Sequence, residues 1–206
     1  MPSTRKDALR NRARLVEAAR AVFAERGLDA TLDDVAARAG LGTGTAYRNF
    51  ADKFELAGEV LAEATQQIAD DAEAALAVND PWLAIVTFFE TTAARQAADR
   101  GLYEALAGQG RAADKVRIWP DIVRSVTELF DRARRAGAVR ADLGPEDAVT
   151  ILAALGAVDD WRRPLALFLD GARATDRPPL PGRPGRFDSL DDVIAVSKRK
   201  RRPTGR

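Results

Sequence analysis

Between residues 9 and 23, Leu9, Ala13, Val16, Ala19 and Phe23 recur at helical spacing with arginines between them, and Gly27 stands where a left-handed cap ends a helix. This predicts a first helix from about Ala8 to Arg26. Thr31 to Asp34 reads as a capping box for a short helix from Leu32 to Ala39 that Gly40 terminates. Gly42 and Thr43 precede a third stretch, Gly44 to Phe50, of two turns at most. Asp52 with Glu55 makes a second capping box, opening a long helix with Leu56, Val60, Ala64, Ile68 and Ala75 or Leu76 on one side, to about Val78.

Asn79-Asp80-Pro81 then breaks the chain, with Asp80 as cap and Pro81 in the first turn of the next helix, whose stripe is Trp82, Ile85, Val86, Phe89 and Ala93. Gly101 to Gly110 holds a short segment around Tyr103 and Leu106. Ile118, Ile122, Val126, Leu129, Phe130 and Ala133 mark a helix that has Pro120 in its opening turn and leads to Gly137. Gly144-Pro145-Glu146 starts another, lined by Ala148, Ile151, Leu152, Leu155 and Val158, and a last helix carries Leu165, Phe168, Leu169 and Ala172 with Pro164 in its first turn. Alternation at period two is scarce and no internal repeat is found, so the expectation is an all-α fold.

From Asp176 to Arg186 the composition shifts to proline and glycine, which serves as linker and not as packed helix. Ser189 to Val196 has the pattern for one or two helical turns before a basic terminus. The expected division is 1–52, 53–175 and a tail, 176–206, read as a Pro/Gly linker and a disordered basic end.

Length and composition narrow the function. A chain of 206 residues can bury a core unaided. It has no cysteine and no histidine, which removes disulfides, thiolate nucleophiles, Cys/His metal sites and imidazole acid–base chemistry. Neither a Glu-x-x-His pair nor a phosphate-cradling Gly-x-x-x-x-Gly-Lys-Ser/Thr loop occurs, so an enzyme is not expected, and neither is a cofactor. No apolar run has signal-peptide or membrane-spanning length, which leads to the expectation of a cytoplasmic protein. Lys and Arg (32) balance Asp and Glu (31), yet both ends are basic: Arg5, Lys6, Arg10, Arg12, Arg14 and Arg20 at one, and six cations from Lys198 onward at the other.

The short polar stretch between Ala39 and Lys53 acquires a role from its neighbours. The second and third helices joined by a glycine turn match a helix-turn-helix, with small Ala36 at the crossing, Gly40 in the turn, and Val35 and Leu41 anchoring the pair to the first helix. Only the N-terminal residues of a recognition helix need to reach base edges, so seven residues suffice while Ala46 and Phe50 stay in the core.

The string T-x-x-x-V-A-x-x-A-G-L-G-T-G-T-A-Y-R-N-F-A-D-K-F-E-L, Thr31 to Leu56, resembles the N-terminal domain of the TetR family of transcriptional regulators, closely from about Arg12 to Val60. The stretches AGAVRADLGPEDAVTILAAL and WRRPLALFLDGARA also resemble the C-terminal half of a common subgroup of that family. The resemblance implies a three-helix DNA-binding domain joined by a long fourth helix to a helical effector-binding and dimerisation bundle.

Carried over position by position, it implies that Thr31 is a cap able to meet phosphate, that Thr43 opens the recognition helix with Gly44 beside it, and that Thr45 and Arg48 read bases. Tyr47 becomes a phosphate or thymine-methyl contact, and Lys53 meets phosphate at the start of the fourth helix. Asn49 stands where the family often has histidine and is expected on phosphate or adenine. The residue types suit these roles, since hydroxyls and a phenol fit phosphate oxygens and arginine alone here binds guanine O6 and N7 bidentately. The first helix's basic face and the arm Arg5, Lys6 and Arg10 are expected to supply the salt-dependent, sequence-independent part of binding.

So small a reader implies a homodimer on a pseudo-palindrome, with recognition helices about 34–36 Å apart or a multiple of it. The family places the dimer interface on the last two helices, here Ile151, Leu155 and Val158 with Leu165, Phe168, Leu169 and Ala172, although periodicity alone leaves interface and core open. It places a small-molecule pocket among residues such as Trp82, Phe88, Phe89, Tyr103, Trp119 and Phe130, each read more readily as plain core than as ligand wall. The resulting expectation is a repressor on double-stranded operator DNA, released by a small and largely apolar effector. The competing expectation is a constitutive or architectural DNA-binding dimer with no pocket.

Overall fold

The computed structural model describes residues 5–98, 119–156, 158, 160–174 and 178–182, without the side chains of Leu28, Trp119, Pro120 and Asp121. Among them are eight α-helices and no strand: α1 (Arg5–Arg26), α2 (Leu32–Arg38), α3 (Thr43–Asn49), α4 (Lys53–Leu76), α5 (Pro81–Ala98), α6 (Trp119–Arg135), α7 (Pro145–Leu155) and α8 (Arg162–Ala172). A single 3-10 turn, Gly27–Asp29, follows α1. The described chain divides into two compact units, one ending at Ala64 and one beginning at Thr65, so that α4 contributes to both.

In the first unit, α1 buries Leu15, Val16, Ala18, Ala19, Val22 and Phe23 against Leu32, Val35 and Ala36 of α2, Ala46 of α3, and Leu56, Ala57 and Val60 of α4. The stripe begins later than the hydrophobic pattern predicts. Leu9 is 63% exposed and Ala13 is exposed, and the buried face of α1 begins at Leu15. The helix also starts at Arg5, so Arg5 and Lys6 are first-turn helical residues and not an extended arm.

The joints follow local chemistry. Thr31 Oγ1 accepts from the Asp34 N–H while the Asp34 carboxylate accepts from the Thr31 N–H, closing the capping box over α2. Gly40 ends α2 at φ +62°, with its N–H on Ala37 O and that of Leu41 on Ala36 O, a Schellman cap that only glycine enters without strain. At α4 the predicted box differs in one bond: Asp52 accepts from the Glu55 N–H, but Glu55 reaches back to the N–H of Ala51.

In the second unit, Ala69, Ala72 and Ala75 of α4 pack with Ile85, Phe88 and Phe89 of α5, Val126, Leu129 and Phe130 of α6, Leu152 and Leu155 of α7, and Leu165 of α8. Phe89 is the hub: its ring lies 5.4 Å from Phe88, 6.3 Å from Phe130 and 4.9 Å from Phe168, edge-on or tilted as ring quadrupoles favour. Asp80 caps α5 through the Leu83 N–H, with Pro81 in the first turn. α4 closes at Leu76, two residues before the expected end, and Arg132 of α6 donates to the carbonyls of Leu76, Val78 and Asn79 that this leaves open.

Beyond α8, Pro178 to Gly182 carry no helix, as a proline-rich stretch dictates, yet they are tied down. Arg140 holds Asp142 bidentately and donates to Pro178 O, and Asp142 accepts from the Leu180 N–H. Those bonds keep the Asp142 carboxyl at about 2, the Arg140 guanidinium contributing most. The predicted segment around Tyr103 and Leu106, the turns at Ser189 to Val196 and the basic tail lie outside the described residues.

Candidate nucleic-acid interface

The recognition helix α3 is held between two fixed ends. Gly42 is its N-cap, with extended backbone and no side-chain cap, so the amide end of the helix is open. Ala46 and Phe50 point into the core of the first unit, 0% and 1% exposed, which turns Thr43, Gly44, Tyr47 and Arg48 outward. Thr45 and Asn49 are half-buried at the margin of that face.

Two of the predicted base readers touch each other. The Arg48 guanidinium donates to Thr45 Oγ1 at 3.0 Å, lying across Gly44, where a Cβ would come within 3.6 Å of Arg48 Nη1. Asn49 Nδ2 donates to the Thr45 carbonyl at 2.8 Å, so its amide is engaged inside the helix. Tyr47 is 53% exposed. Lys53 opens α4 with its ammonium 5.7 Å from the Phe54 ring centre.

Thr31 lies apart from this group, exposed at the head of α2. Its hydroxyl donates to Asp34 Oδ2 at 2.7 Å, so the proton expected for a phosphate is already used in the capping box. That bond, together with the Thr31 backbone N–H and the Arg26 guanidinium, holds Asp34 at about 2.

The basic face of α1 departs from the sequence expectation. Arg5, Lys6 and Arg10 are exposed, with Arg10 paired to Asp7 at 2.9 Å. Further along, Arg12 binds Glu59, Arg14 donates to the Ala39 carbonyl at 2.6 Å, and Arg20 approaches Glu63 at 3.9 Å. Burial holds Glu63 above the usual carboxylate range against the pull of Arg20. These three arginines are thus part of the packing of the first unit. No local spacing announces this, because Glu59 lies 47 positions from Arg12 and on another helix.

In the second unit, Phe89 and Phe130 are fully buried against each other, Phe88 likewise, and Trp82 is half-buried beneath the Arg173 guanidinium, 4.3 Å from its ring. Tyr103 and the Trp119 side chain lie outside the described residues. The interior also carries polar groups that the periodicity did not announce: Asp71, Thr92 and Ser125 are buried, and Gln96 Oε1 is buried without a partner among the described residues. An open concavity of about 580 Å³ lies between α5 and α8, lined by Glu90, Thr91 and Ala94 with Trp161, Arg162 and Leu165, and Trp82, Phe88, Phe89 and Phe130 do not border it.

Of the residues expected at a dimer interface, Leu155, Leu165 and Ala172 pack in the core of their own chain, at most 3% exposed. Ile151, Val158, Phe168 and Leu169 are half-buried. The apolar side chain that α8 does present is Leu167, 66% exposed. Among the described residues no group of acidic side chains is placed to hold a metal, and no helix is long and apolar enough to cross a membrane.

Residues 15–60 match the family model for bacterial regulatory proteins of the tetR family, and residues 80–174 match the C-terminal domain of SbtR-like transcriptional regulators. The crystal structure of a TetR transcription regulatory protein from Mycobacterium vanbaalenii is 35% identical, with a TM-score of 0.64 over 82% of this chain and 98% of that one. The chain belongs to the TetR family of transcription regulators. A TetR transcriptional regulator of Streptomyces coelicolor is similar at 30% identity and a TM-score of 0.62, over 80% of this chain and 99% of that one. Among curated proteins, the chain is 36% identical over 84 residues to the uncharacterized HTH-type regulator TtgW of Pseudomonas putida, a match covering 40% of this chain and 63% of that protein's length. α1 to α3 lie largely within the N-terminal region that the tetR-family model matches.

Proposed function

We propose that the protein is a repressor that binds a pseudo-palindromic operator as a homodimer in the cytoplasm. The observation that carries this reading is the division of α3 into two faces: Ala46 and Phe50 sealed inside, and Thr43, Gly44, Tyr47 and Arg48 outside at the amide end of the helix. That is the arrangement by which the first turns of a short helix enter a major groove. Arg48 reads guanine, Thr43 and Tyr47 meet backbone oxygens or a thymine methyl, and Lys53, Arg5, Lys6 and Arg10 add phosphate contacts. One such helix reads too few base pairs for selectivity, so two are required, and a dimer on an operator excludes polymerase without any further contact.

Release is a population shift. An effector that favours a dimer with another spacing of its recognition helices lowers operator affinity by its differential affinity for the two states. α4, which contributes to both compact units, is the element through which the two regions are coupled. The effector is a small, largely apolar molecule, in keeping with the phenylalanine-rich interior of the second unit.

The test is selection of the purified protein on random duplexes at two salt concentrations, with sequencing of what is retained. Recovery of a palindrome supports the repressor reading. Retention without sequence preference, fading steeply with salt, replaces it with an architectural role.

A further inference from the structure

Arg12 is the most connected side chain beneath the recognition helix. Its Nε and Nη2 lie 3.3 and 3.0 Å from the two carboxylate oxygens of Glu59 on α4, a fork-to-fork pair. Its Nη1 donates to the carbonyl of Asn49 at 2.9 Å, and its guanidinium carbon stands 4.2 Å over the Phe50 ring. Asn49 is the last residue of α3, where helix carbonyls lack intrahelical partners and a cation is favoured. One planar group therefore caps the end of α3, covers its C-cap residue and fastens both to α4.

A helix of seven residues has little surface with which to fix its own tilt. Ala46 and Phe50 set its depth, and the Schellman turn at Gly40 and Leu41 sets where it begins. Its far end is set by Arg12, whose guanidinium makes three hydrogen bonds to Glu59 and Asn49 and whose side chain is only 33% exposed. We infer that Arg12 is a positioning residue for sequence recognition: braced by Glu59, it fixes the angle between α3 and α4, and it is not one of the phosphate contacts that the basic face of α1 suggests. This role rests on the operator-binding reading above. It also gives α4 a lever arm, since a change at Glu59 is delivered to the end of α3 through one guanidinium.

The experiment uses the full chain, a duplex recovered by selection, a scrambled duplex of equal length, and a salt series. Arg12→Gln and Glu59→Ala are each expected to weaken the selected duplex about tenfold, the worth of a charge-assisted bond, leaving the scrambled duplex and the salt slope unchanged. Arg12→Lys keeps the charge without the fork and is expected not to restore the affinity. A phosphate contact gives the opposite pattern: Arg12→Gln weakens both duplexes alike and lowers the slope by about one, and Glu59→Ala leaves binding intact or tightens it. That pattern overturns the proposal. If Arg12→Gln melts below the assay temperature, Glu59→Ala decides alone, since selective loss supports the brace and unchanged or tighter binding rejects it. A wild-type protein that selects no sequence defeats the operator reading itself, and this role with it.

Discussion

Arg95 of α5 grips Asp71 of α4 with both arms of its guanidinium, Nη2 at 2.7 Å from Oδ1 and Nε at 3.3 Å from Oδ2, and Thr92 donates its hydroxyl to the same carboxylate. The Asp71 side chain is 7% exposed and that of Arg95 39%, so the two partners do not depend on each other equally. Removing the arginine leaves a carboxylate among apolar neighbours with one hydroxyl for company. Removing the aspartate leaves a guanidinium that can turn to water.

Arg95→Ala is therefore expected to cost about 3 kcal/mol, the scale for stranding one partner of a buried pair. Asp71→Asn is expected to cost less, because the amide still accepts from Thr92. Urea unfolding of both variants checks the order. Equal losses would mean that the Asp71 site is wetter than its exposure indicates.

Two hydrogen-bonded carboxylates, Asp34 and Asp142, predict an acid limb of stability. Asp34 and Asp142 are both held at about 2 against an ordinary value of 3.8, by Thr31 and Arg140 respectively. A folded-state value below the unfolded one means that the contribution is complete above the unfolded value and is lost as pH falls from there towards 2. Denaturation midpoints measured from pH 7 down to pH 2 should fall across that window. Asp34→Asn and Asp142→Asn should each lower the midpoint at neutral pH and flatten the fall, and an unchanged acid limb in the double variant would assign it to other carboxylates.

Gly40 and Gly137 share a conformation but not surroundings. Both lie in the left-handed region, at φ +62° and +64°, each inside a Schellman cap, yet a Cβ on Gly40 would stand 3.3 Å from Arg14 Nη2 while one on Gly137 meets nothing within 4 Å. Gly137→Ala should cost about 1 kcal/mol, the backbone penalty alone. Gly40→Ala should cost more, since Arg14 must give up its bond to the Ala39 carbonyl or crowd the new methyl. Equal melting temperatures for the two variants would show that Arg14 moves aside freely.

What could be read from the chain and what could not divide by range. The caps at Thr31 and Asp80, the glycine stop at Gly40 and the turn into α3 are decided within four or five residues, and the sequence places each of them. The Arg12–Glu59 pair spans 47 positions and the Arg140–Pro178 bond 38, so no local pattern announces either, and arginines on one helix face read as solvated surface or phosphate contacts. The start of the buried stripe on α1 escapes the pattern for a related reason. Leu9 and Ala13 continue the helical period of Val16 and Phe23, but the period describes a face and says nothing about whether another helix lies against it.

Leu167 and Leu165 give the sharpest separation of interface from core. They are two residues apart on α8, 66% and 2% exposed, and therefore on different sides of the helix. A stripe that includes Leu165, Phe168, Leu169 and Ala172 follows the inward side, with Leu165 and Ala172 buried and Phe168 and Leu169 half-buried against the core. If α8 also carries the dimer, its outward side must supply the contact, and Leu167 is the apolar group available there. Leu167→Asp is expected to sediment as a monomer with its helical content intact. It should lose affinity for a two-half-site duplex while keeping weak, salt-dependent binding to a single half-site. Leu165→Ala is expected to behave in the opposite way, unfolding earlier by about 2–5 kcal/mol from the cavity it leaves while remaining dimeric at low temperature. A Leu167→Asp protein that stays dimeric would move the interface off this face of α8 altogether, leaving Leu167 one of the isolated apolar groups that any protein surface tolerates.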